Sequence, residues 1–181
     1  MAGRNERRLR IKRVTITLAL ATGALMLWGG TAIAKGHGAQ IEHSTASFSM
    51  SSATCSHLPD GTTVTGSGPE KSITINKVRN GVATTINTTH AHGKATDQDG
   101  HRYVFNYSNH FRASNTVANP DEFSGKMVDS FSLAGRGPAK LHNGFLAKFT
   151  TDFTTFFNFQ PIHSRGDPIS FPDGAAHCDP L

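Results

Sequence analysis

Two histidines flanking one alanine, His90-Ala91-His92, are the residues of this chain whose type and spacing come nearest to a chemistry. On a β-strand, side chains two positions apart point to the same face, so both imidazoles could reach one metal ion. In a strand running unbroken from Val82, that face also carries Val82 and Ile86 and is the apolar one. Asp97 follows after a spacer, and His101 sits beyond the Asp99-Gly100 turn. His90, His92 and Asp97 are therefore the candidate metal ligands, an N/O set suited to zinc, copper or iron. The simpler alternative is that these histidines end a strand near solvent or pack with satisfied hydrogen bonds, and on it no cofactor is expected.

The stretch from His90 to about Gly100 resembles the first motif of cupins, in which two histidines around one residue precede a carboxylate. An aspartate stands where that motif has glutamate, and no second motif supplies the remaining histidine. Asp97-Gln98-Asp99-Gly100 resembles the opening of a calcium loop, but the later ligands and closing glutamate are missing, and a hairpin turn accounts for it. His142 and His163-Ser164 suggest a hydrolase, yet no G-x-S-x-G elbow is present. Beyond the first 34 residues the only glutamates are Glu42, Glu70 and Glu122, so a glycosidase pair would draw on scattered aspartates. No catalytic residue is assigned.

The elements that must position these residues read as strands. Turn signals recur at short intervals: Pro59-Asp60-Gly61, Gly66-Ser67-Gly68-Pro69, Asn80-Gly81, Asp99-Gly100, Asn119-Pro120, Asn143-Gly144 and Gly166-Asp167-Pro168. The clearest strand is Arg102 to Phe111, with Tyr103, Phe105, Tyr107, Asn109 and Phe111 on one face and mostly polar residues on the other. Further candidates are Ala46–Thr54, Thr62–Gly66, Glu70–Val78, Val82–His92, Met127–Ala134, Phe145–Thr150 and Phe156–Ile162. Phe145, Phe149, Phe153 and Phe157 also fit a helix face, but the threonines between them favour strands. Phenylalanines of this density read first as core. Where the interior is open, Tyr103, Phe105 and Tyr107 are the expected ligand-binding residues.

The beginning of the chain is an address. Arg4, Arg7, Arg8, Arg10, Lys12 and Arg13 precede an apolar run from Val14 to Trp28 and the small-residue site Ala32-Ile33-Ala34, the layout of a cleaved secretory signal peptide. The run of 15 residues is short of the roughly 20 that a spanning helix needs. Residues 1–34 carry the whole formal charge of +5, so the remaining 147 residues hold 12 bases and 12 acids. Nucleic acid is excluded as a partner on this balance, and so is a membrane once the signal is removed. The lone tryptophan, Trp28, leaves with the signal, and with it the G-x-W strand signature of lipocalins. In a secreted, extracellular protein the two cysteines, Cys55 and Cys178, are expected to form one disulfide. Their separation rules out a C-x-x-C redox pair or a zinc knuckle.

The segments Tyr103–Asn109, Phe131–Pro138 and Pro161–Pro168, with the ending Cys178-Asp-Pro-Leu181, resemble small secreted proteins of unknown function from actinobacteria. That resemblance implies export and a compact β domain and carries no activity. The expected organisation is a signal peptide over 1–34, a flexible lead-in over 35–45 and one all-β domain over 46–181. Its expected architecture is a single antiparallel β-barrel of about eight strands, with a sandwich as second choice. The expected function is non-enzymatic binding of a small apolar or aromatic ligand, or of a cell-surface partner, through the barrel mouth. The alternatives are a metal-assisted or cyclase-like enzyme with His90 and His92 in the lumen, and a structural surface protein without a pocket.

Overall fold

The computed structural model describes residues 38–166, with Phe156 and Phe157 as backbone, and, also as backbone, 169–170 and 175–178. Period-two alternation governs nearly all of it. Seven long strands follow one another as an antiparallel meander: β1 (Ala39–Ser51), β2 (Thr63–Arg79), β3 (Val82–Asp97), β4 (Arg102–Ser114), β5 (Phe123–Gly135), β6 (Leu141–Thr151) and β7 (Phe156–Arg165). Two short strands follow, β8 (Ile169–Ser170) and β9 (Ala175–Cys178). The strand order is β7-β6-β5-β4-β3-β2-β1-β9-β8, and β9 lies parallel to β1 at Ser49 and Met50.

The sheet is rolled. Phe48 on β1 meets Phe131 on β5 with ring centroids 5.4 Å apart and Phe105 on β4 at 5.0 Å. In a flat sheet β1 and β5 would stand four strand spacings, roughly 19 Å, apart. The chain itself gives a second measure. Only four residue steps join Arg165 at the end of β7 to Ile169 of β8, a reach of about 14 Å, whereas eight flat spacings would be roughly 38 Å. The two margins of the sheet are thus brought near each other.

Among the described residues no ladder joins β7 to β1, β8 or β9, so the expected closed barrel of about eight strands is corrected to a rolled, unclosed antiparallel sheet. Closure is hindered at both margins. β7 runs through two irregularities, at Leu146/Ala147 and Thr150/Thr151, and β8 is two residues long.

Two further expectations change. β1 begins at Ala39, inside the stretch read as a flexible lead-in, because Ala39–Thr45 find partners along β2. Gly66-Ser67-Gly68-Pro69 is not a turn but the middle of β2. A Cβ on Gly66 would lie 2.5 Å from the Phe48 ring, so the glycine makes room for a core side chain and does not break the strand. Asn143-Gly144 likewise lies inside β6. The phenylalanine stretch does resolve into strands: β6 and β7 turn at Asp152, whose Oδ1 accepts from the Thr154 and Thr155 amides at 2.7 Å.

The inner face holds two apolar clusters. The first contains Phe48, Met50, Val64, Tyr103, Phe105, Phe131, Leu133 and Leu141, and is plugged from the loops by Cys55, Leu58 and Ala139. The second contains Ala113, Met127, Phe145, Ala147 and Phe149, with Phe111, Phe123 and Phe159 against it. Cys55 is fully buried, while the side chain of its expected partner Cys178 lies outside the described residues.

Candidate functional site

Between the two clusters the inner face turns polar. Strand register places Glu42, Ser72, Thr89, Asn109 and Asp129 side by side across β1 to β5. Solvent access falls along this track. Glu42 is exposed, Ser72, Thr89 and Asn109 are half-buried, and Asp129 is 7% exposed. Each member is positioned by the same rule, a strand residue whose parity faces inward.

The deep end is a carboxyl. Tyr107 Oη donates to Asp129 Oδ2 at 2.8 Å and Asn109 Nδ2 donates to the same oxygen at 2.9 Å. Among the described residues Oδ1 takes no hydrogen bond, and it is not a buried orphan, so it keeps contact with solvent. Burial raises the Asp129 pKa to about 6 against the opposing pull of Asn109 and Tyr107. Burial, and after it the Asp129 charge, pushes the Tyr107 hydroxyl well above its ordinary value. Phe145 and Asn109 stand opposite Asp129 on the neighbouring strands, so the carboxyl has an aromatic neighbour on one side and an amide on the other. Further along, Asn87 Nδ2 donates to Ser72 Oγ and Thr74 Oγ1, both at 2.9 Å, and the Thr89 hydroxyl donates to Asn87 Oδ1 at 3.1 Å. Between the exposed Glu42 carboxylate and the buried Asp129 carboxyl the track is lined by hydroxyls and amides.

The residues expected to bind metal are not brought together. His90 and His92 do share a face, but it is the outer one, and both are exposed; Ala91 between them is buried. The expectation of His90 and His92 in a lumen is corrected accordingly. Val82 and Ile86 sit on the outer face with them, and the inward positions of β3 are Asn87, Thr89, Ala91, Gly93 and Ala95. His90, His92 and His142 border an open outer hollow of about 380 Å³. His92 and His142 are three strands apart in register, roughly 14 Å.

Asp97 faces inward and serves the β3–β4 turn. Its Oδ1 accepts from the Asp99 and His101 amides at 3.0 and 2.9 Å, and its Oδ2 accepts from Tyr103 Oη at 2.8 Å with His101 Nδ1 at 2.9 Å. Burial alone would raise this carboxyl, but the Tyr103 and His101 hydrogen bonds override it and hold it at about 2. Asp97, Asp99 and His101 place ligand atoms within 4.8 Å of one another, and the turn accounts for that grouping. Of the expected ligand-binding residues, Tyr103 and Phe105 are each 2% exposed and belong to the core, whereas Tyr107 reaches the track.

Asp129, Asn109 and Asn87 were not singled out from the sequence. The signal was present for Asp129, an acid in inward register with Met127, Phe131 and Leu133. No protein-family model, no curated protein and no solved structure matches the chain.

Proposed function

We propose that this is an exported binding domain that takes a small amphiphilic ligand on the inner face of its rolled sheet. The ligand's apolar part rests against phenylalanines and a hydrogen-bond donor meets Asp129 Oδ1. The observation that carries this reading is the polar track from Glu42 to Asp129, falling in exposure toward a carboxyl with an accepting oxygen to spare. A core built only for stability gains little from a buried acid at such a place.

N-phenyl-1-naphthylamine, an uncharged aromatic with one N–H donor, is the test probe. Its fluorescence is expected to rise saturably with the mature protein, and Asp129→Ala is expected to weaken binding by about tenfold, the worth of one hydrogen bond to a charged group. The absence of saturable binding would overturn the proposal. A second reading is favoured by one observation: a carboxyl near pKa 6 is suited to acid–base catalysis close to neutrality. Mass spectrometry of small molecules carried by the exported protein distinguishes the two, since an enzyme converts what it holds and a binder returns it unchanged.

Export and the Cys55–Cys178 bridge belong to the same proposal. The pairing of β9 with β1 at Ser49 and Met50 supports the bridge, because β9 ends on Cys178 and lies beside the strand that leads into Cys55. The exported protein is expected to begin at Lys35 and to show two titratable thiols only after reduction. N-terminal sequencing and thiol titration under denaturing conditions check both.

A further inference from the structure

The neutral balance of the exported chain conceals a complete separation of charge across the sheet. The acids within β1 to β7 are Glu42, Glu70, Asp97 and Asp129, and register places all four on the inner face. Every Lys and Arg within the same strands faces outward: Lys71, Lys77, Arg79, Lys94, Arg102, Arg112, Lys126, Lys148 and Arg165. The other acids of the described residues, such as Asp60, Asp121 and Asp152, sit in turns.

Three of the cations form a row. Arg112 stands directly opposite Lys126, and Lys126 directly opposite Lys148. All three are exposed, and among the described residues none is in an ion pair. Like charges opposite one another on neighbouring strands are destabilising. The adjoining row offers hydroxyls, with Ser114 opposite Ser124 and Ser124 Oγ 3.3 Å from Thr150 Oγ1.

From this arrangement we infer that the outer face of β4–β6 binds a linear polymer of phosphate groups along the Arg112–Lys126–Lys148 row. The row spans two strand spacings, roughly 10 Å, too long for one anion and suited to successive groups of a chain. A polymer also fits the convex side of a rolled sheet, which meets a planar bilayer only along a narrow line. The row has no aromatic residue to anchor it in a lipid interface.

The test is a titration of the mature protein with inorganic polyphosphate about a hundred phosphates long, at several salt concentrations. Binding is expected at low salt, with log K falling against log salt at a slope of about −2, as for three contacts to a single-stranded polyanion. The combined variant Arg112→Gln, Lys126→Gln and Lys148→Gln is expected to lose at least about tenfold in affinity, since each surface cation near an anionic array contributes up to about fivefold. A control variant, Arg136→Gln with Lys140→Gln, removes cations from the β5–β6 loop and is expected to stay within about twofold. Lys126→Glu, which gains two opposite-charge neighbours, is expected to abolish binding while raising the melting temperature by about 2–4 °C, which shows that it is folded. Equal affinity for the row variant and the parent, or an equal loss in the control, would overturn the inference. So would binding to vesicles rich in phosphatidylglycerol without binding to polyphosphate.

Discussion

Replacing Asp129 by Asn is expected to stabilise the protein at pH 7 by about 2–3 kcal/mol and to change its stability at pH 4 by less than about 1 kcal/mol. The cause is burial. Folding takes the Asp129 carboxyl from water into the inner face and raises its pKa from 3.8 to about 6. Below pH 3.8 the group is protonated in both states and its favourable contribution is fully present. Between that value and about 6 the native state holds the proton that the unfolded chain has released, so stability falls as pH rises through this window. At pH 7 the native protein bears the desolvation of a charge that two hydrogen bonds only partly offset. Asparagine keeps the shape and an accepting oxygen for Tyr107 without the charge. Urea unfolding of parent and variant at pH 4 and pH 7 measures the difference, and an equal effect at the two values would refute the assignment of the charge to Asp129. Stability given up at a position that also meets solvent is the pattern expected of a binding group.

The other large effect is expected at Phe48. Its ring packs edge-on against Phe105 and Phe131 and occupies the space left by the missing Cβ of Gly66, so it ties the first strand to the fourth and fifth across the roll. Phe48→Ala is expected to cost about 3–5 kcal/mol, from lost burial and an unfilled cavity. Phe48→Leu, which refills part of the space, is expected to recover a substantial share. Denaturant unfolding checks both, and a loss below about 1 kcal/mol for the alanine variant would mean that the roll does not depend on this contact.

Much of the sheet can be read from the residues, and the reasons for the failures are physical. Alternation over Arg102–Phe111 marks β4 and its buried face, where Tyr103 and Phe105 lie. Gly66 and Gly68 look like a turn because residue type alone does not reveal that a ring from another strand needs the room. Val82 and Ile86 share the parity of His90 and His92, which makes that face of β3 look like the inner one. The inward side of β3 is instead marked by small residues, Ala91 and Ala95, which lie under the large rings of the first cluster. The track was harder to see. Asp129 is conspicuous among Met127, Phe131 and Leu133, but its partners Tyr107 and Asn109 come from another strand, and only register reveals them. Net charge is the least informative guide to the surface, since equal numbers of acids and bases say nothing about which face each occupies.

The pairing of β9 with β1 has a kinetic consequence. Every ladder from β1 to β7 joins strands that are neighbours in the chain, so those seven can assemble in order as the polypeptide emerges. The partner of β1 along Ser49 and Met50 is supplied by Ala175 and Ala176, which follow all seven strands of the meander in the chain. Until they arrive, the outer margin of the first strand presents unpaired N–H and C=O groups to any passing chain. The interval between completion of the meander and arrival of β9 is therefore the period in which this protein is most open to strand exchange and aggregation. A chain truncated before Ala175 would hold its sheet in that state permanently.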